Sequence, residues 1–170
     1  MSSILKVDQL QDSGGNAIIT SDGAGSITTP GITTGKVLQV LYATINTTTT
    51  TTSTSFVDTG LSIDITPSST SSKILVLVNS GGYVATTGTM YLTIAKDSTN
   101  VGGANGFNYL YSGGAAGDDI VAGFTATHLS SPATTSSVNY KAQFRSGDGS
   151  TVYISNGNII SSITAMEIAG

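Results

Sequence analysis

Along residues 138 to 155, VNYKAQFRSGDGSTVYIS, apolar and polar positions alternate. Val138, Tyr140, Ala142 and Phe144 fall on one side of an extended chain and Asn139, Lys141, Gln143 and Arg145 on the other, because side chains in a strand repeat every two residues. Val152 and Ile154 continue the pattern against Thr151, Tyr153 and Ser155. Between the runs, Gly147-Asp148-Gly149-Ser150 supplies residues that tolerate positive φ, so the stretch predicts two strands meeting at a tight hairpin. One apolar face needs a second sheet to cover it.

Lys36 to Ile45, KVLQVLYATI, is apolar on both sides: Val37, Leu41 and Ile45 on one, Leu38, Val40 and Tyr42 on the other. Such a strand is covered twice, here by the core and by a neighbouring subunit. Leu38, Val40 and Tyr42 are therefore candidates for a subunit interface. Thr47 to Thr52 is low-complexity, β-branched and uncharged, which suits an extended edge or a loop, the loop being favoured. Leu61, Ile63 and Ile65 alternate with Ser62 and Asp64 in the strand Phe56 to Ile65, which stops at Pro67-Ser68-Ser69. Lys73 to Val78, KILVLV, reads as a buried central strand ending at Asn79-Ser80-Gly81-Gly82. Thr89 to Ala95, Ile120 to Leu129 and Ile159 to Ile168 read as further strands, with turns at residues 96–100, 130–132 and 156–158. The glycine-rich excursion from Val101 to Asp119 predicts a flexible loop presenting Phe107, Tyr109 and Tyr111. No stretch combines helical periodicity with caps. Eight or nine short strands at this spacing predict an all-β fold, an antiparallel β-sandwich of jelly-roll type over residues 36 to 170.

Residues 1 to 35 differ. Short apolar groups are separated by Asp12-Ser13-Gly14-Gly15-Asn16 and Ser21-Asp22-Gly23-Ala24-Gly25. Burying the large aliphatics Ile4, Leu5, Val7, Leu10, Ile18, Ile19, Ile27 and Ile32 does not offset the entropy of ordering so many residues. The segment is expected to order against a partner or against its own copies, for instance as short strands around a threefold axis. Ile4, Leu5, Val7 and Leu10 are the candidate docking residues. Pro30-Gly31-Ile32-Thr33-Thr34-Gly35 reads as the linker into the main domain.

Composition narrows the function. Charged residues make up 9% of the 170 and hydrophobic ones 38%, so little repulsion separates copies and strand edges invite pairing, which favours a symmetric oligomer. Six Lys and Arg scattered singly, with a net charge of -4, give no basic stripe for nucleic acid and no attraction to acidic membranes. Without Cys there are no disulfides, thiolate metal sites or Cys nucleophiles. No apolar run approaches the ~20 residues of a membrane span, and the start has no signal-peptide pattern. A soluble protein is expected.

A catalytic constellation is hard to assemble. His128, the one histidine, lies in a strand and reads as a polar surface or inter-subunit residue rather than a general base. Asp118-Asp119 lacks the surrounding ligand spacing of a calcium loop, and Glu167 is the one glutamate, which leaves no glutamate pair for glycoside hydrolysis. The glycines around Phe107 neither follow a buried strand nor open a helix, so they are no phosphate cradle. No enzyme, metal or cofactor is expected. Phe107, Tyr109 and Tyr111 are a candidate contact loop for sugars or another protein, or else fill a core or interface.

Taken in order, ILKVDQLQDSGGNAIITSDGAGSIT, KVLQV, TSFVDTGLSIDITPSSTSSKILVLV, SPATTSSVNYKAQFRS, TVYIS and SSITAMEIAG resemble the small fibre-like virion appendage proteins of tailed bacteriophages, above all short-tailed marine phages. The resemblance spans nearly the whole chain. It implies a homotrimer assembled in the host cytoplasm and resident on the virion, with an N-terminal segment docked on tail or capsid proteins and a β-sandwich facing outward. A tail-fibre role implies contact with a host surface glycan. The chain lacks the long shaft of a typical tail fibre, so a structural head fibre or capsid decoration protein is the alternative. A polysaccharide depolymerase is a third.

Overall fold

The computed structural model describes residues 7–25, 27–29, 35–85, 87–113 and 119–170. The chain is all-β, with antiparallel sheets. A small N-terminal sheet contains β1 (Gln9–Gln11), β2 (Ala17–Ser21) and β3 (Ile27–Thr28), in that order. Its first turn is fixed by Asp12, whose Oδ1 accepts the backbone N–H groups of Gly14 and Asn16 at 2.8 and 2.9 Å, while Gly15 takes φ of 81°.

The remaining strands form two sheets around one core. One sheet has the order β10 (Asn108–Ser112), β8 (Gly88–Lys96), β12 (Val138–Ser146), β6 (Val57–Ile65), with the short β9 (Thr99–Asn100) also paired to β8. In the other, β7 (Lys73–Val84) is central. Along one edge β7 pairs with β11 (Ile120–Ser130); along the other it pairs with β14 (Ser161–Ile168) and then with β13 (Val152–Ile154). Outside these lie β4 (Val37–Ile45) on β14 and β5 (Thr49–Thr51) on β13. The pairings nest: β4 with β14, β6 with β12, β7 with β11 and β8 with β10. The first and last strands of the main domain are thus partners, and so are strands from its middle.

Alternation produces the core. Leu61, Ile63 and Ile65 of β6, Met90, Leu92 and Ile94 of β8, and Tyr140, Ala142 and Phe144 of β12 meet Ile74, Val76 and Val78 of β7, Phe124 of β11 and Ile163 and Ala165 of β14. The apolar face read from residues 138 to 155 holds, with Val138, Tyr140, Ala142, Phe144, Val152 and Ile154 all buried. Ser155, expected on the polar side, is buried too, past the end of β13 and bonded to Ser161.

Four local expectations are corrected. β12 and β13 are not a hairpin, because β12 lies in the sheet with β6 and β8 while β13 pairs with β5 and β7. The Gly147–Ser150 turn is instead a corner between sheets, gathered by Asp148, whose Oδ1 accepts Ser150 N and Ser150 Oγ at 3.0 and 2.6 Å. Thr49–Thr51 is a strand, not part of a loop, since β13 offers it an open edge. β7 runs on through Asn79-Ser80-Gly81-Gly82. Those glycines answer to packing and not to a turn, because a Cβ on Gly82 would collide with the Phe124 ring and the Met90 methyl. The excursion from Val101 contains β10 and a tightly laced turn: Asn100 Oδ1 accepts from Thr93 Oγ1 and Gly102 N, and Asn100 Nδ2 donates to Gly103 O at 2.8 Å.

Candidate interaction surfaces

The two sheets turn chemically opposite outer faces to their surroundings. On the sheet centred on β7, register aligns Val40, Met166, Leu75 and Leu129 in one row across four strands. The adjoining row holds Tyr42, Thr164, Leu77 and Thr127, and the row beyond the first holds Val37, Ile168 and Lys73. Lys73 is the one charged side chain in these rows. Val40 is 55% exposed and Tyr42 65%, while Leu41 and Ile45 pack against the core, as expected of a strand apolar on both sides. Leu38 is exposed as well, at a register shift between β4 and β14. That same shift explains why Val37, expected beside Leu41 on the core side, is exposed.

Further along this face, Gly81 lies opposite Gly123. Their missing side chains leave an open groove of about 500 Å³ walled by Val121, Ile159 and Ile160. Leu75, Met166 and Leu129 were absent from the predicted interface. Their spacing in KILVLV, TATHL and TAMEI was visible, but the register that aligns them with Val40 was not.

The opposite sheet is polar outside. Asp58 accepts from Lys141 Nζ at 2.8 Å and Gln143 Nε2 at 2.6 Å, and Asn139 Nδ2 donates to Asp64 at 2.9 Å. Burial raises the Asp58 carboxyl, but the hydrogen bonds from Lys141 and Gln143 and the charge of Lys141 outweigh it and hold the pKa below its ordinary value. One end of this face is aromatic. Tyr109 lies opposite Tyr91, and Tyr91 opposite Arg145. The Arg145 guanidinium sits 4.0 Å from the Tyr91 ring centroid and 5.3 Å from that of Phe56, a cation held between two rings. Its Nη2 also donates to Ala104 O and Asn105 Oδ1 at 3.3 and 3.1 Å.

Of the predicted contact residues, Tyr109 and Tyr111 are exposed on β10. Phe107 turns back against the core, its backbone N–H bound to Leu92 O at 2.9 Å. Among the candidate docking residues, Val7 and Leu10 are exposed and line a concavity of about 420 Å³ with Ile19 and Ile27. Ile4 and Leu5 lie outside the described residues.

The polar candidates are dispersed. His128 is not on the polar outer surface: it lies opposite core-facing Val76, partly buried, its ring 6.0 Å from that of Phe107. Burial lowers its pKa. Asp119 accepts the Tyr83 hydroxyl at 2.8 Å, and Asp118 lies outside the described residues. Glu167 is buried. Among the described residues no three His, Asp or Glu side chains gather where they could hold a metal ion.

A scan against protein-family models and a search of curated proteins return no match for this sequence.

Proposed function

We propose that this chain is a virion structural protein of a tailed bacteriophage, a homotrimeric fibre-like appendage without enzymatic activity. The N-terminal segment docks it on the particle and the main domain faces the host. The resemblance of the ordered sequence segments to phage appendage proteins is what supports the phage assignment. The structural observation that supports the assembly is the uncharged row Val40, Met166, Leu75 and Leu129, spanning four strands of one sheet while the other sheet keeps its charges. An apolar face of that extent on a chain with so few charges favours burial against another copy.

The nested strand pairing supports a jelly-roll reading of the main domain, since a long hairpin rolled so that its ends meet outside gives this order. Closed rings of such domains leave the opposite, polar sheet pointing outward. The Val7, Leu10, Ile19 and Ile27 concavity is the corresponding surface for docking on another virion protein.

Sedimentation of the purified chain tests the assembly, with a trimer mass expected and a monomer overturning it. Antibody labelling of intact particles tests the placement. Label at the tail is expected; label over the head would reassign the chain to the capsid as a head fibre, and particles without label would overturn the virion reading.

A further inference from the structure

We infer that the cleft on the polar sheet between Tyr91 and Tyr109 is a binding site for an uncharged saccharide ring. This deepens the host-facing role proposed above and rests on it for the source of the glycan. The chemistry of the cleft stands apart from that role.

The cleft holds about 290 Å³ and is lined by Tyr91, Asn105, Gly106, Phe107, Asn108 and Tyr109. Tyr91 and Tyr109 are register partners with ring centroids 6.1 Å apart and planes inclined by 35°. Tyr109 is 63% exposed on its strand. An open aromatic face with a polar tip suits a ligand that is apolar on one side and hydroxylated around its rim, and a pyranose ring has C–H bonds on its face and hydroxyls at its edge.

The polar groups are already oriented for that rim. Asn105 Oδ1 accepts from Arg145 at 3.1 Å and Asn108 Oδ1 accepts the Tyr109 backbone N–H at 2.8 Å. With both amide oxygens engaged, the two Nδ2 groups are the ends left to donate, and hydroxyl or ring oxygens are what they match. Charge selects further. No lining residue is ionised, and the neighbouring Arg145 guanidinium is committed to Ser146 O, Ala104 O and Asn105 within the chain. A carboxylated or sulfated sugar would find no cation among the lining residues.

The site is formed in advance. Gly106 takes φ of 72°, and a Cβ there would strike Leu92 O. Arg145, stacked on Tyr91, ties the 104–105 turn to β12. A rigid cleft spends little entropy on binding.

The test titrates the purified full-length chain with neutral oligosaccharides of glucose, galactose, mannose and N-acetylglucosamine, followed by tyrosine fluorescence and saturation-transfer NMR. At least one neutral probe is expected to bind with a Kd of about 1 mM or below, within the range of weak single-site recognition. Tyr109→Ala should weaken it at least about tenfold through loss of the ring face, Tyr109→Phe should keep it, and Asn108→Ala should weaken it. Asp64→Asn, on the same sheet but away from the cleft, should change nothing. Thermal midpoints of the variants control for folding. Binding that survives Tyr109→Ala, or that appears with acidic probes alone, overturns the site. No binding to any probe also overturns it while leaving the virion placement standing, and particles without antibody label would overturn that placement while leaving the cleft intact. Attachment to host cells that resists periodate but is lost on protease treatment would assign the surface to a protein partner and overturn the saccharide.

Discussion

Glu167 faces Gln39 across the register of β14 and β4 and accepts its side-chain amide at 2.6 Å. Its other oxygen takes the backbone N–H and hydroxyl of Ser68 at 2.7 and 2.6 Å. Gln39 Nε2 also donates to Thr66 O at 2.8 Å. The carboxylate, in a residue 1% exposed, thus ties the last strand to the first strand of the main domain and to the loop that leads into β7.

This relationship sets an acid limb on stability. Burial raises the Glu167 carboxyl, but the hydrogen bonds from Ser68 and Gln39 outweigh it and bring the pKa from 4.5 down to about 2. A depressed folded pKa gives stability that is complete above the unfolded value and lost as pH falls through the folded one. Urea unfolding should therefore show stability falling as pH drops from about 4.5 towards 2, with this group contributing to the loss. Glu167→Gln should be less stable at neutral pH and lack that part of the acid limb. Profiles for the two proteins that stay parallel from pH 4.5 to 2 would dismiss the carboxylate's role.

Leu75 sits in the middle of the apolar row, flanked by Met166 and Leu129. Leu75→Asp or Val40→Asp should lower the sedimenting mass to that of one chain, because an unpaired charge in an interface costs several kcal/mol. Asp64→Lys, on the polar sheet, should leave the mass unchanged. Unaltered association of both aspartate variants would remove this face from the interface.

Gly82→Ala tests close packing between the sheets. The added methyl meets the Phe124 ring and the Met90 methyl inside the core, and overpacking of this kind costs about 1 to 3 kcal/mol. Gly123→Ala is the matched control, with nothing of the chain within 4 Å of its Cβ position. A Gly82 variant as stable as the control would show that the core yields at this point.

Arg145→Lys should destabilise by about 1 kcal/mol, since lysine keeps the charge but loses the planar stack on Tyr91 and the fork that reaches Ala104 and Asn105. Amide hydrogen exchange should quicken in residues 103–107. Unchanged exchange there would mean that the turn is held by Asn100 alone.

Much of the fold was legible residue by residue. The alternation in β6 and β12 marked their buried faces, and the doubly apolar Val37–Ile45 marked a strand with a second side to cover. The candidate sites were legible in part. Tyr109 was named from the sequence and is exposed on β10, but its neighbours Tyr91 and Arg145 come from strands distant in sequence, and nothing local announces them. The predicted hairpin at Gly147–Ser150 failed because a glycine-rich turn serves equally well for adjacent strands and for a corner between sheets.

The sequence by itself determined that the chain is all-β, which side of β6 and β12 is buried, and that residues 1 to 35 differ in composition from the rest. Those properties depend on period and composition, which are local. Tertiary structure decided which strands pair, that Gly81 and Gly82 belong inside a strand, and that four separated aliphatic side chains form one row. Register is set by the simultaneous packing of both sheets around a shared core. No window of sequence contains that information, because each strand's partner is chosen by residues far along the chain.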